Sequence, residues 1–404
     1  MLNKELFIGV LLYPLSKLIP IRKKHWVFGS DFGNMYREGS KYLMEYMLEH
    51  HPDYTCTFIA RNKDVVQELR NKGIPVESNN SLRGIWKIMI ADAVFTTQTI
   101  SDVLYAYKKK GRKFFYLVHG QPFKCAMAML PQSYVRDLVD RQNSLMRFVR
   151  KFEIGQIIKV GYRLSDVTFV SATSEFTAQF LRKEWPSVEI KILGMPRNDA
   201  LFRSERMKKE KWFKGIEGKT VIAYMPTHRK YGVGDISPIP FVENKEAQEW
   251  MRQHNVVFLV KQHPNMVNRQ KYHENEQSDV IIDISKMGFD PQVVIYHTDV
   301  LITDYSSVWM DYLLLKRPLL FYFYDDFETN DVGSYYNLRD EFPNNYCESE
   351  TDLFQMIKKS IQSSSQLTPS ASEIAKFHKY IDGNSCQRYF DAIVSDKKNE
   401  VYKK

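Results

Sequence analysis

Four short polar clusters follow apolar runs in this chain, and each carries side chains suited to phosphate chemistry. They are His119-Gly120-Gln121-Pro122-Phe123-Lys124, Pro226-Thr227-His228-Arg229, Lys261-Gln262-His263-Pro264 and Thr303-Asp304-Tyr305-Ser306-Ser307. Histidine is the side chain best matched to taking a proton from a hydroxyl near neutral pH, so His119 and His263 are the candidates for that work. Pro264 fixes the turn that holds the second imidazole. Arg229, and Arg197 in the turn Gly194–Asp199, can each fork onto phosphate oxygens. At Thr303–Ser307 a helix N-terminus and the hydroxyls of Ser306 and Ser307 suit an anion, while Thr303, Asp304 or Ser307 can cap the helix. Taken singly, each cluster also fits an ordinary role: a structural histidine, surface ion pairs, a capped helix, or a solvated charge at Lys124.

The alternating pattern around these clusters places them. Trp26-Val27-Phe28, 54–60, 93–96, 114–118 and 167–172 read as strands, with helices over 40–49, 63–72, 81–89 and 174–183. A second alternation runs through strands at 220–224, 256–261, 280–282, 300–302 and 319–324, with helices at 245–253 and after Ser307. This βα rhythm predicts doubly wound parallel sheets, whose ligands bind beyond the carboxyl ends of the strands. All four clusters fall at such ends. Gly29 and Gly33 do not form a GxGxxG fingerprint, so a dinucleotide site is not supported.

Length predicts two domains. The expected division is an amino-terminal segment over 1–20, an α/β domain over 21–200, a charged junction over 201–219, a second α/β domain over 220–370, and a closing helix and tail over 371–404. Composition, at 44% hydrophobic and 26% charged residues, is that of a folded protein. Four scattered cysteines argue against a disulfide framework or a zinc site and fit a reducing compartment. No metal-ligand spacing stands out, although Asp304 or Asp311 could touch an ion; no cofactor is required, and Mg2+ is allowed for.

The net charge of +9 suits anionic partners: phosphorylated substrates, an anionic membrane surface, or nucleic acid. No nucleic-acid signature is present, which sets the last aside. Residues 6–18 are apolar and followed by Arg22-Lys23-Lys24, a run shorter than the roughly 18 to 20 residues needed to span a bilayer. Together with the basic helical stretch 136–163 it predicts a peripheral position on the cytoplasmic face of a membrane. A buried first helix and a solvated charged face are the alternatives. The Gly- and Pro-bearing loop over 228–243 is long enough for a lid.

In order along the chain, HGQPFK, VSATSEFTAQFL, GMPRNDAL, YMPTHR, VKQHPN and LITDYSSVWMDYLLLKRPLLFY resemble the CDP-glycerol glycerophosphotransferase family of bacterial teichoic-acid and capsule synthesis. The resemblance covers roughly residues 20–370. It implies two Rossmann-like domains facing a cleft, a GT-B-like fold. It also implies transfer of glycerol phosphate from CDP-glycerol, or ribitol phosphate from CDP-ribitol, to a lipid-linked saccharide with release of CMP. His119 matches the family's general base and His263 the histidine assisting at the donor diphosphate. Gly120, Lys124, Arg197, Thr227, Arg229, Thr303, Asp304, Ser306, Ser307 and Asp311 are the expected substrate-binding residues. Gln121 and Phe123 stand where many members have Thr and Leu. A nucleotide-sugar glycosyltransferase and a non-catalytic scaffold are the rival readings, and a homo-oligomer is allowed for.

Overall fold

The computed structural model describes residues 12–98, 102–104, 106–124, 166–210, 212, 214–227, 239–262, 278–325 and 333–401. Arg229, His263, Cys125, the basic stretch 136–163 and most of the 228–243 loop lie outside the described residues. The chain divides into two compact units. The first takes the described residues up to His119, those from 166 to Asp199, and those from Asp382 onward; the second takes 120–124 and the described residues from Ala200 to Ile381.

The first unit alternates β1 (Arg22–Phe28), α1 (Glu38–His50), β2 (Thr55–Ala60), α2 (Lys63–Asn71), β3 (Val76–Ser78), α3 (Leu82–Ile90), β4 (Ala91–Thr96) and β5 (Lys113–Tyr116). Its strands are parallel in the order β3-β2-β1-β4-β5. β4 is buried throughout, as a parallel sheet covered on both faces demands. Phe28, Phe95 and Phe115 are in-register neighbours on β1, β4 and β5, and their rings stack at 4.6 and 4.9 Å. Beyond them β6 (Val170–Ala172), α4 (Glu175–Glu184) and β7 (Ile190–Ile192) add a parallel pair. Ser174 and Thr177 close a capping box at the start of α4.

The second unit runs α5 (Ser204–Lys209), β8 (Thr220–Met225), α6 (Lys245–Gln253), β9 (Val256–Val260), β10 (Ile281–Asp283), α7 (Pro291–Tyr296), β11 (Val300–Thr303), α8 (Val308–Leu313), β12 (Leu319–Tyr322), α9 (Leu338–Glu341), β13 (Tyr346–Cys347), α10 (Glu350–Gln362) and α11 (Ala371–Phe377). Its six strands are parallel in the order β10-β9-β8-β11-β12-β13. Strand order therefore reverses between β1 and β4 in one unit and between β8 and β11 in the other. Those reversals open the crevices that bind ligands in such sheets.

Three elements depart from the sequence expectation. The stretch 201–219, expected as the junction, lies at the start of the second unit and is packed into it: Met207 and Ile216 are buried, and Trp212 stacks on His297 at 4.7 Å. The carboxyl-terminal segment is not one closing element. α11 stays with the second unit, where Phe377 meets Trp309 at 4.9 Å, while α12 (Ser385–Val401) joins the core of the first through Cys386, Tyr389 and Ile393. Spaced tyrosine, cysteine and isoleucine in a charged tail gave little periodic signal for that docking. α7, α9 and β13 are too short to have stood out.

Candidate active site

In the second unit the turn after β11 is tied to the end of β8. Thr303 Oγ1 donates to the Met225 carbonyl at 2.7 Å, and the Thr227 N–H donates to Asp304 Oδ1 at 2.7 Å. Thr303 and Asp304 are fully buried, so they hold the two strand ends together at the reversal and do not face solvent. Ser306 and Ser307 are half-buried and are the turn's accessible hydroxyls. The expected side-chain cap is absent: Ser307 stands at the N-cap of α8 without a capping hydrogen bond. α8 has only six residues, which leaves a small helix dipole. Asp311 lies within α8, buried, rather than in the turn.

Residues 120–124 pack onto the same turn. A Cβ on Gly120 would stand 2.6 Å from Ser307 Oγ, so any side chain there displaces that hydroxyl. Phe123 lies parallel to Tyr305 at 6.5 Å and edge-on to Trp309 and Tyr336. An aromatic at 123 is thus a packing choice. Lys124, half-buried, forms a backbone bridge with Ser334.

In the first unit, His119 follows β5 and is exposed to solvent. The residue before it, Val118, has φ 28°, a left-handed value that a β-branched residue rarely adopts. Such strain is held by its surroundings. The Arg197 guanidinium donates to the His119 carbonyl and to the Glu38 carboxylate from one nitrogen, and Arg197 is almost fully buried. The His119 ring hydrogen-bonds the Thr97 backbone. Crowding by protein that strips hydration holds the imidazole below its ordinary range; Glu38 opposes that shift and Arg197 adds to it. A histidine so placed is neutral at pH 7 and able to accept a proton. Arg197, expected on phosphate, uses one guanidinium nitrogen to fix the backbone at His119.

Sequence reasoning missed two residues of this region. Glu38 opens α1 at φ 62°, and Asp102 gathers the backbone N–H groups of Phe32, Thr97 and Gln98 on its carboxylate at 2.8 to 2.9 Å. Asp102 thereby joins the turns after β1 and β4, at the reversal of the first sheet. Both lie in ordinary polar stretches, 37–41 and 97–102, whose spacing sets neither carboxylate apart.

Among the described residues no group of three or more His, Cys, Asp or Glu is placed to hold a metal. Cys56, Cys347 and Cys386 are buried free thiols, and burial pushes the first two up to about 12. A cavity of about 520 Å³ in the first unit is lined by Thr55, Ile74 and Val76, at the amino ends of β2 and β3, and so lies away from His119.

Two parallel doubly wound sheets, each with polar residues gathered where strand order reverses, make up a GT-B-like α/β fold. The fold matches the solved structure of the wall teichoic acid polymerase TagF, at a TM-score of 0.74 and 22% identity, over 98% of this chain and 95% of that one. Residues 11–395 match the CDP-Glycerol:Poly(glycerophosphate) glycerophosphotransferase family, and the chain belongs to that family. It is accordingly an enzyme of glycerophosphate transfer from CDP-glycerol. The teichoic acid glycerol-phosphate primase of Bacillus subtilis (strain 168) is 28% identical over 76% of this chain and 73% of its own length. The teichoic acid glycerol-phosphate transferase of Staphylococcus aureus (strain NCTC 8325 / PS 47) is 26% identical over 95% and 96%.

Proposed function

We propose that this enzyme adds glycerol phosphate to a hydroxyl of a lipid-linked saccharide at the cytoplasmic face of a bacterial membrane, in the assembly of a teichoic acid or related capsular polymer. The acceptor oxygen attacks the glycerol-bearing phosphorus of CDP-glycerol. Its bond to the CMP oxygen breaks, CMP leaves, and the acceptor proton passes to His119. The observation that carries this reading is the anchoring of His119, exposed and favoured as the neutral imidazole, by Arg197 and Glu38. The first unit is then the acceptor side and the second the donor side. There Ser306 and Ser307, with Lys124, Arg229 and His263, grip the diphosphate, where cationic and neutral hydrogen bonds offset the charge that develops in transfer. The reaction needs no cofactor in this scheme, although Mg2+ can accompany the diphosphate.

The test is incubation with CDP-glycerol, CDP-ribitol or UDP-sugars and a lipid-linked saccharide, following nucleotide release. CMP from CDP-glycerol, with loss of about a hundred- to ten-thousand-fold in His119→Ala, is the expected result. Release that is unchanged in both His119→Ala and His263→Ala overturns the mechanism, and turnover of UDP-sugars alone overturns the donor.

A further inference from the structure

The first unit leaves four large apolar side chains in solvent near one another. Leu15 and Leu18 are 53% and 81% exposed on the helical residues 12–18, and Leu82 and Trp86 are 87% and 45% exposed on α3. The two segments are fastened side by side. Lys109 Nζ donates to the carbonyls of Ile19 and Met89 at 3.0 and 2.8 Å, and the Arg22 guanidinium lies over the Trp86 ring at 5.9 Å. Gly84 fixes which face of α3 turns outward. A Cβ there would stand 1.9 Å from the Ser78 carbonyl, so that side of the helix lies tight on the chain after β3, leaving Leu82 and Trp86 outside.

The surroundings are cationic. Arg22, Lys23 and Arg83 are exposed and Lys87 is half-buried, and none of the four makes an ion pair among the described residues. Residues 12–23 and 82–90 contain no acidic side chain. Apolar side chains with a tryptophan at the margin, ringed by unpaired cations, match the boundary between acyl chains and anionic headgroups. We infer that α3 and residues 12–22 form a face that lies on an anionic bilayer, with Leu18, Leu82 and Trp86 entering its interface. This rests on the membrane position proposed above and adds a rigid, folded docking element to it.

The experiment is sedimentation of the full chain with vesicles of phosphatidylcholine alone or mixed with phosphatidylglycerol, at low and high salt. Three proteins are compared: the wild type, Leu82→Ser/Trp86→Ser and Arg83→Glu/Lys87→Glu. Wild type is expected to bind the mixed vesicles, more weakly at high salt. Each double variant should partition at least about tenfold less, with unchanged thermal melting because the replaced side chains are at the surface. Brominated lipid should quench wild-type fluorescence more than that of Trp86→Phe. Wild-type binding that both variants retain in full overturns this face while leaving the membrane position standing. Failure of the wild type to bind overturns both. A lipid-free dimer that the apolar variant alone dissolves assigns the face to a second copy and overturns the inference.

Discussion

Arg197 and Glu38 form an ion pair inside the first unit, and the same guanidinium nitrogen also holds the carbonyl of His119. The carboxylate is the largest charge effect favouring protonation of that histidine, against the loss of hydration. Replacing Glu38 by Gln keeps an acceptor for Arg197 and removes the charge. The acid limb of the pH dependence of kcat/KM for CMP release is therefore expected to move to lower pH. Activity near neutrality should fall modestly, because a weaker base drives transfer less. An unmoved acid limb in Glu38→Gln would show that the pair only braces the fold. Arg197→Ala frees the backbone at His119, and a misplacement on the order of 1 Å there is expected to cost roughly a hundredfold in kcat.

Gly120 has no room for a methyl group because Ser307 Oγ occupies the place. Gly120→Ala is expected to rotate the serine hydroxyl away, raising KM for CDP-glycerol several-fold with little change in melting temperature. Ser307→Ala should raise KM by a similar factor, and the double variant should be no worse than either single one, since both remove one hydroxyl. Steady-state kinetics on the four proteins check this. Additive losses would mean that Gly120 acts elsewhere.

Both parallel sheets were legible because central strands such as β8, β9 and β11 are apolar runs ending in polar turns, a pattern set by burial on both faces. The strand-end position of His119 and of the Thr303–Ser307 turn followed from the same alternation. What hydrogen bonding assigned within the clusters was not legible. Thr303 and Asp304 read as helix caps or as residues shaping the turn, and only their register opposite Met225 and Thr227 shows that they do so buried, in the seam between β8 and β11. Glu38 and Arg197 are 159 residues apart, and no periodicity reports a pair that distant. The course of α12 was hidden for the same reason, since its partners include Tyr42 and Asp199, 344 and 186 residues away along the chain.

Asp199 holds α12 by its first turn. Its carboxylate accepts from the Ser385 and Cys386 N–H groups at 2.8 and 2.7 Å, in a buried setting. Asp199→Ala leaves two donors without an acceptor, each costing about 1 to 3 kcal/mol. The first unit should melt earlier, and limited proteolysis should cut before Ser385 in the variant while sparing the wild type. Asn retains one oxygen acceptor and should fall between the two. Equal protease resistance in the Ala variant would mean that Cys386, Tyr389 and Ile393 dock α12 without the cap.

His378 is buried in the second unit, its Nε2 against the Met310 carbonyl at 2.6 Å, and burial holds it down to about 4. In the unfolded chain an imidazole takes its proton near pH 6.5. Between these values the unfolded state binds a proton that the folded state refuses, so stability falls as pH drops from about 6.5 to about 4 and then levels off. Taken in full the difference is roughly 3 kcal/mol. Desolvation also lowers His51 and His297, which adds in the same direction. Urea unfolding followed at pH 7.5, 6, 5 and 4 should show the decline. In His378→Asn the slope between the middle two points should be shallower, although the variant is less stable at pH 7.5. A slope identical to wild type would place the acid sensitivity on other groups.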